Sequence, residues 1–207
     1  MLADVDTYTT MHLPSAFCWT KYGTEAGEDF GSILERKEHE RAASGGTFLW
    51  GVGNAVGPSL EALVATTRRP KVIFTPMRAR PAHRDVAPSV TAQWHRGYGL
   101  DGDPFEVPST SRVTSRFSES RSYHYALVCR SGEPLAVRAT PTPYFAAHHV
   151  RNLRSGAQVA ASQVTSVVQR VACALRWEPS AYQVAFTADL VAPYFIRLTE
   201  RSVTAPA

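Results

Sequence analysis

Lysine is scarce in this chain: three of its 22 basic residues are lysine and the rest are arginine. A GC-rich coding sequence produces that bias, so arginine richness alone assigns no function. Cysteine is equally sparse. Cys18, Cys129 and Cys173 are far apart and odd in number. That argues against a disulfide framework and a CxxC zinc site, and leaves buried reduced thiols as the expectation. No run reaches the ~20 apolar residues of a membrane span. Residues 1–15 carry Asp4 and Asp6 but no base, unlike a secretory signal. A cytoplasmic protein without membrane contact is expected.

Catalytic signatures are missing too. Gly51-Val52-Gly53 is half of a dinucleotide fingerprint, but the next glycine, Gly57, comes one residue late. There is no P-loop, no HExxH and no nucleophile elbow around Ser131-Gly132. Asp101 and Asp103 lie in a glycine-rich stretch as turn formers rather than as a catalytic pair. His148 and His149 are adjacent, so on a helix they diverge and make a poor metal pair. The expectation is a binding protein without catalytic residues, metal or cofactor.

What is present is uneven charge. Residues 1–40 hold eight acids and three bases, and residues 41–207 hold ten acids and nineteen bases. Arg68, Arg69, Lys71, Arg78, Arg80, Arg84 and Arg96 face one acid, Asp85, in a single stretch. Such density is the footprint of a phosphate-backbone binder.

Hydrophobic patterning predicts strands over 16–22, 47–52, 71–76, 89–98, 123–130, 182–191 and 194–201. Helices are expected over 30–43, from Pro58 to about 69, over 143–153 and over 157–175. Residues 99–118, rich in Gly, Pro, Ser and Thr, read as a long functional loop. Regular βα alternation is lacking, so a curved, mostly antiparallel barrel with helices outside fits better than a doubly wound sheet.

Two aromatic segments stand out: Phe17-Cys18-Trp19-Thr20-Lys21-Tyr22-Gly23 and Gly46-Thr47-Phe48-Leu49-Trp50-Gly51-Val52-Gly53-Asn54. Each is a strand-like run with aromatics beside glycine. Flat rings can stack on a planar group, and glycine lets a ligand approach the backbone. The competing reading makes the tryptophans core. Trp19 and Tyr22, three apart, fall on opposite faces of an ideal strand, so one is core or the strand bends.

This pair of segments, separated by a helix and followed by another helix and the strand around Val72-Ile73-Phe74, resembles the EVE-like branch of the PUA-like superfamily. That superfamily includes YTH, ASCH and SRA-type domains. The resemblance implies an α+β fold with a curved, mostly antiparallel β-barrel and flanking helices. It would form one domain over 15–207, preceded by an irregular segment over 1–14 and extended after about 141. It implies a base pocket from Trp19, Thr20, Tyr22, Trp50, Gly51, Val52, Gly53 and Asn54, with the basic stretch holding phosphates. The expected function is recognition of a modified base in double-stranded DNA, 5-methylcytosine or 5-hydroxymethylcytosine, flipped into the pocket. No nuclease is visible, so cleavage in such a bacterial system would need a separate effector protein. A reader of modified RNA and an ASCH-like hydrolase of modified nucleosides remain alternatives.

Overall fold

The computed structural model describes residues 13–23, 28–77, 89–116, 123–135, 144–160, 162–171 and 178–203. Among the described residues twelve strands and two α-helices follow in chain order: β1 (Ala16–Tyr22), α1 (Phe30–Ala43), β2 (Thr47–Val52), α2 (Gly57–Thr66), β3 (Lys71–Pro76), β4 (Ser89–Gly99), β5 (Pro104–Phe105), β6 (Arg112–Arg116), β7 (Tyr123–Arg130), β8 (Tyr144–Phe145), β9 (Val150–Asn152), β10 (Thr165–Arg170), β11 (Tyr182–Gln183) and β12 (Phe186–Val203). The fold is mixed, dominated by strands, with one large sheet.

The helices expected over 30–43 and after Pro58 coincide with α1 and α2. Among the described residues the other two expected helices do not form. Residues 143–153 give β8, a 3-10 turn over 147–149 and β9, and the described part of 157–175 gives β10. Thr165, Val167 and Val168 explain the second correction, because β-branched side chains suit a pleated surface. With Ser166 and Val168 buried on one face and Val167 on the other, no polar alternation marks this strand. The expected loop over 99–118 also contains structure, since β5 and β6 both pair with β4.

The large sheet runs β2-β7-β12-β3-β1-β10-β9, with β4 carrying β5 and β6 alongside β12. Its pairs are antiparallel except β1 with β3. It curls strongly. β2 and β1 lie four strand spacings apart in this order, roughly 19 Å in a flat sheet, yet the Trp50 and Tyr22 rings meet at 6.0 Å. Among the described residues the curl does not close into a hydrogen-bonded barrel, because β2 pairs only with β7.

Three apolar clusters result. The first fills the concave side with Cys18, Tyr22, Phe48, Trp50, Phe74 and Phe186, together with Leu60 and Leu63 of α2. The second lies on the opposite face of β1 and β3, around Phe17, Trp19, Ile73, Phe145 and Tyr182. The third sits among β2, β4, β6, β7 and β12, around Leu49, Trp94, Val113, Val128 and Leu198.

Helix α1 lies across the gap between β2 and β6. Asp29 caps it, accepting the Ser32 N–H at 2.8 Å. Its buried face is Ile33, Lys37 and Glu40, at helical spacing but with two charges. Lys37 Nζ donates to the carbonyls of Leu49 on β2 (2.5 Å) and Arg112 on β6 (2.6 Å). Glu40 accepts the N–H of the same two residues, from Arg112 at 2.6 Å and from Leu49 at 3.4 Å. The pair closes on itself at 2.9 Å. One ion pair thus satisfies four main-chain groups that a missing ladder would leave open.

Removing one partner leaves a buried charge, so Lys37→Met or Glu40→Leu should each cost about 3–5 kcal/mol in urea unfolding. The double substitution tests the bridging role. A pair that only offsets its own burial would be replaceable by apolar residues. Here the double variant should remain unstable, because the N–H and C=O of Leu49 and the N–H of Arg112 would stay unsatisfied, Arg36 keeping only the Arg112 carbonyl. Recovery to wild-type stability would refute the bridge.

Candidate functional site

A cavity of about 80 Å³ lies where β2 and β6 part. By the same measure one water needs only about 10–15 Å³, so the space admits a small group. Tyr22, Trp50 and Gly51 line it from the strands, Ile33, Arg36 and Lys37 from α1, and Thr114 from β6. Lys21, Gly23, Met77 and Val164 complete it. Trp50 lies edge-on to Tyr22 and packs on Phe74 at 4.7 Å. The aromatic wall continues outward through Phe30, 5.5 Å from Tyr22 and 39% exposed.

The structure brings together three of the eight expected pocket residues: Tyr22, Trp50 and Gly51. Trp19 points to the other face of β1, as the spacing of three requires of one partner. It is enclosed by Phe145 and Tyr182, and its Nε1 donates to Thr75 Oγ1 at 3.0 Å. Thr20 is buried against Thr165, hydroxyl to hydroxyl at 2.6 Å. Val52 sits in the first apolar cluster. Gly53 and Asn54 are exposed beyond the end of β2.

Among the expected phosphate contacts, Arg68 and Arg69 are exposed after α2. Lys71 is paired with Asp189 at 2.5 Å, and Arg96 with Glu200 at 3.2 Å. Arg78, Arg80 and Arg84 lie outside the described residues. Trp94, two residues from Arg96, turns into the third apolar cluster.

Gly51 has a physical reason to be glycine. A Cβ there would stand 2.7 Å from Val113 Cγ1 and 2.8 Å from the Thr114 carbonyl. Its main chain also matters. The N–H and C=O of Leu49 point away from β7, toward Lys37 and Glu40. In an antiparallel ladder these directions alternate, so Gly51, two residues on, also turns both groups to the open edge. A donor and an acceptor therefore stand side by side at the cavity.

The cations around the cavity are engaged. Arg36 grips Glu28 through Nε (2.6 Å) and Nη2 (2.8 Å) and donates to the Arg112 carbonyl at 2.7 Å. Burial alone would raise the Glu28 carboxyl, but the hydrogen bonds and charge of Arg36, with the Thr91 hydroxyl, hold it below its ordinary value. These α1 residues, with Thr114, are what sequence reading missed. The available signal was the Ile33, Lys37, Glu40 stripe, and charged residues are not ordinarily read as a buried face.

His148, His149 and Glu178 also converge, within 4.8 Å of one another. Adjacent histidines were expected to diverge on a helix, but in the 3-10 turn their rings lie 4.2 Å apart. His149 Nδ1 accepts the Ala146 N–H at 3.0 Å. In the neutral ring Nε2 then carries the proton, so neither nitrogen offers a lone pair to a metal.

Burial pushes the Lys21 and Lys37 ammoniums down to about 8. An unfolded chain keeps those protons to about 10.5, so above pH 8 it binds more protons than the folded protein and stability rises with pH. Burial raises the thiols of Cys129 and of Cys18, the latter to about 12. Above their ordinary 9.0 the unfolded chain has lost protons the folded state retains, and stability falls. The urea midpoint should climb between about pH 8 and 9 and level off beyond. A profile flat through that interval would mean the ammoniums titrate normally.

Gly51→Ala should cost on the order of 1–3 kcal/mol by overpacking against β6. Thermal unfolding measures it, and an unchanged Tm would mean β6 is free to move away from β2.

No family model matches this chain, no curated protein matches it, and no solved structure matches it.

Proposed function

We propose that the cavity between β2 and β6 holds a single modified base flipped from DNA, with methylated or hydroxymethylated cytosine as the ligand. One observation carries this reading: the Trp50 and Tyr22 rings stand beside the open main-chain edge of Gly51 in one small cavity. Unstacking a base costs a few kcal/mol, which ring contacts and hydrogen bonds to the base edge must offset. The rings supply the first. The paired N–H and C=O of Gly51 supply a donor and an acceptor for the second. The small volume suits one planar ring better than a dinucleotide.

On this reading the strongly curled sheet is an open variant of the PUA-like barrel, with the β2–β6 gap bridged by α1. Arg68 and Arg69, and the arginines over 78–84, would hold the duplex through its phosphates. The protein would work in the cytoplasm without catalysis of its own, beside a separate effector.

The test is binding at one fixed salt concentration to a duplex carrying C, 5-methyl-C, 5-hydroxymethyl-C or N6-methyl-A, with a matched RNA. Salt is held constant because phosphate contacts make affinity steeply salt-dependent. One modified-cytosine duplex should bind tightest. Trp50→Leu should lose about 5- to 150-fold of that preference, the equivalent of about 1–3 kcal/mol of stacking. Arg68→Gln should instead weaken all duplexes alike. Equal affinity for all four duplexes would overturn the reading, and tighter binding of the RNA would replace DNA as the ligand.

A further inference from the structure

A second feature lies on the same strand layer, beyond the cavity. β12 pairs with β4 on one side and β7 on the other. Arg197 is directly opposite Tyr98 on β4 and Tyr125 on β7. Thr199 is directly opposite Arg96 on β4 and Tyr123 on β7. Residues opposite one another in a ladder project from the same face. Tyr98, Arg197 and Tyr125 therefore form one row, and Arg96, Thr199 and Tyr123 the next. The other face of these strands is occupied by Ile196, Leu198 and Ala126, which are buried in the third cluster.

None of the six is buried. Tyr123 is 42% exposed, Arg197 and Arg96 are exposed, and the other three are half-buried. This partly exposed face carries three aromatic rings, of which Tyr125 also packs against the first apolar cluster. The rings are also held in place. Tyr125 stacks flat on Phe195 at 5.2 Å with 3° between planes, and Tyr123 meets Tyr125 edge-on at 5.7 Å. The Arg197 guanidinium lies over the Tyr98 ring at 6.0 Å. Glu200 pairs with Arg96 at 3.2 Å, whereas Arg197 has no ion pair among the described residues.

We propose that this face is a stacking platform for single-stranded nucleic acid, with bases on Tyr98 and Tyr123 and a phosphate on Arg197. Flat rings and an arginine on the open face of a sheet are the two elements such binding needs: π-faces that accept any base, and positive charge that follows the backbone. Charge favours this occupant over an acidic peptide, because the platform offers one free cation but several rings. The choice of nucleic acid rests on the base-pocket reading. The two sites are continuous, since Val52, two residues beyond Trp50, is directly opposite Tyr125. A strand opened to release one base would meet the platform next.

The experiment is fluorescence anisotropy with a labelled oligothymidylate of about 12 nucleotides, which carries no modified base. Wild-type protein should bind it. Tyr98→Ala and Tyr123→Ala should each weaken binding at least about fivefold, while Tyr98→Phe and Tyr123→Phe keep the ring and bind as wild type. Arg197→Gln should weaken binding and lower the log–log salt slope by about 0.7. The pocket is read separately, from the preference among the four duplexes, so the platform and the pocket can fail separately. The proposal is overturned if wild type does not bind, if the alanine variants bind as wild type, or if the phenylalanine variants lose as much as the alanine ones. It is also overturned if the face joins two copies of the chain. Sedimentation would then show a dimer that Tyr123→Ala dissociates.

Discussion

The Lys37–Glu40 pair decides the shape of everything around it. Burying two charges is expensive, and an isolated pair of this kind is often no better than two apolar residues. Its value here lies in what else it touches. An ammonium donates and a carboxylate accepts, so the two together complement the N–H and C=O of Leu49 and of Arg112. An apolar helix face laid over two bare strand edges would leave those groups orphaned, at about 1–3 kcal/mol each. The pair also sets a spacing. Direct pairing of β2 with β6 would bring the strands to about 4.8 Å and close the gap. With side chains between them the strands part, and the cavity beside Trp50 and Gly51 is that gap.

The second constraint is the length of β12. Its first residues pair with β3, its middle with β7 and its last part with β4. The register shift between Leu190 and Phe195 lets the strand pass from one neighbourhood to the next. Before the shift its side chains fill the concave cluster, with Phe186 stacked on Phe74 at 4.2 Å. After it, Ile196 and Leu198 fill the third cluster and Arg197 turns outward. One strand thus ties the cavity wall to an exposed aromatic face.

The N-terminal half was readable because its signals are local. Asp29, the turn glycines Gly45 and Gly46, and Pro58 mark helix ends that any similar chain would obey. The two aromatic strands announce themselves by composition. Residues 143–175 mislead because β10 is buried on both faces and shows no alternation. Short pieces such as β8 and β11 exist only because they pair with each other. The site was half legible for a related reason. Tyr22, Trp50 and Gly51 carry the motif, but Arg36, Lys37 and Thr114 reach the cavity by tertiary folding alone. Trp19 shows the limit of composition: it has the right chemistry on the wrong side of the strand.

The scarcity of lysine gains a physical meaning in the folded chain. Arginine is a broad, forked donor, whereas lysine is a compact point charge with three rotatable donors. Lys37, buried, serves four oxygens. Lys21, 3% exposed, sits over Trp19 at 4.4 Å. The acids of the first forty residues follow the same logic. Glu28, Glu38 and Glu40 are held by Arg36, Arg41 and Lys37, close in sequence. The bases that outnumber acids over residues 41–207 include Arg68, Arg69 and Arg197, which are exposed and open to a partner.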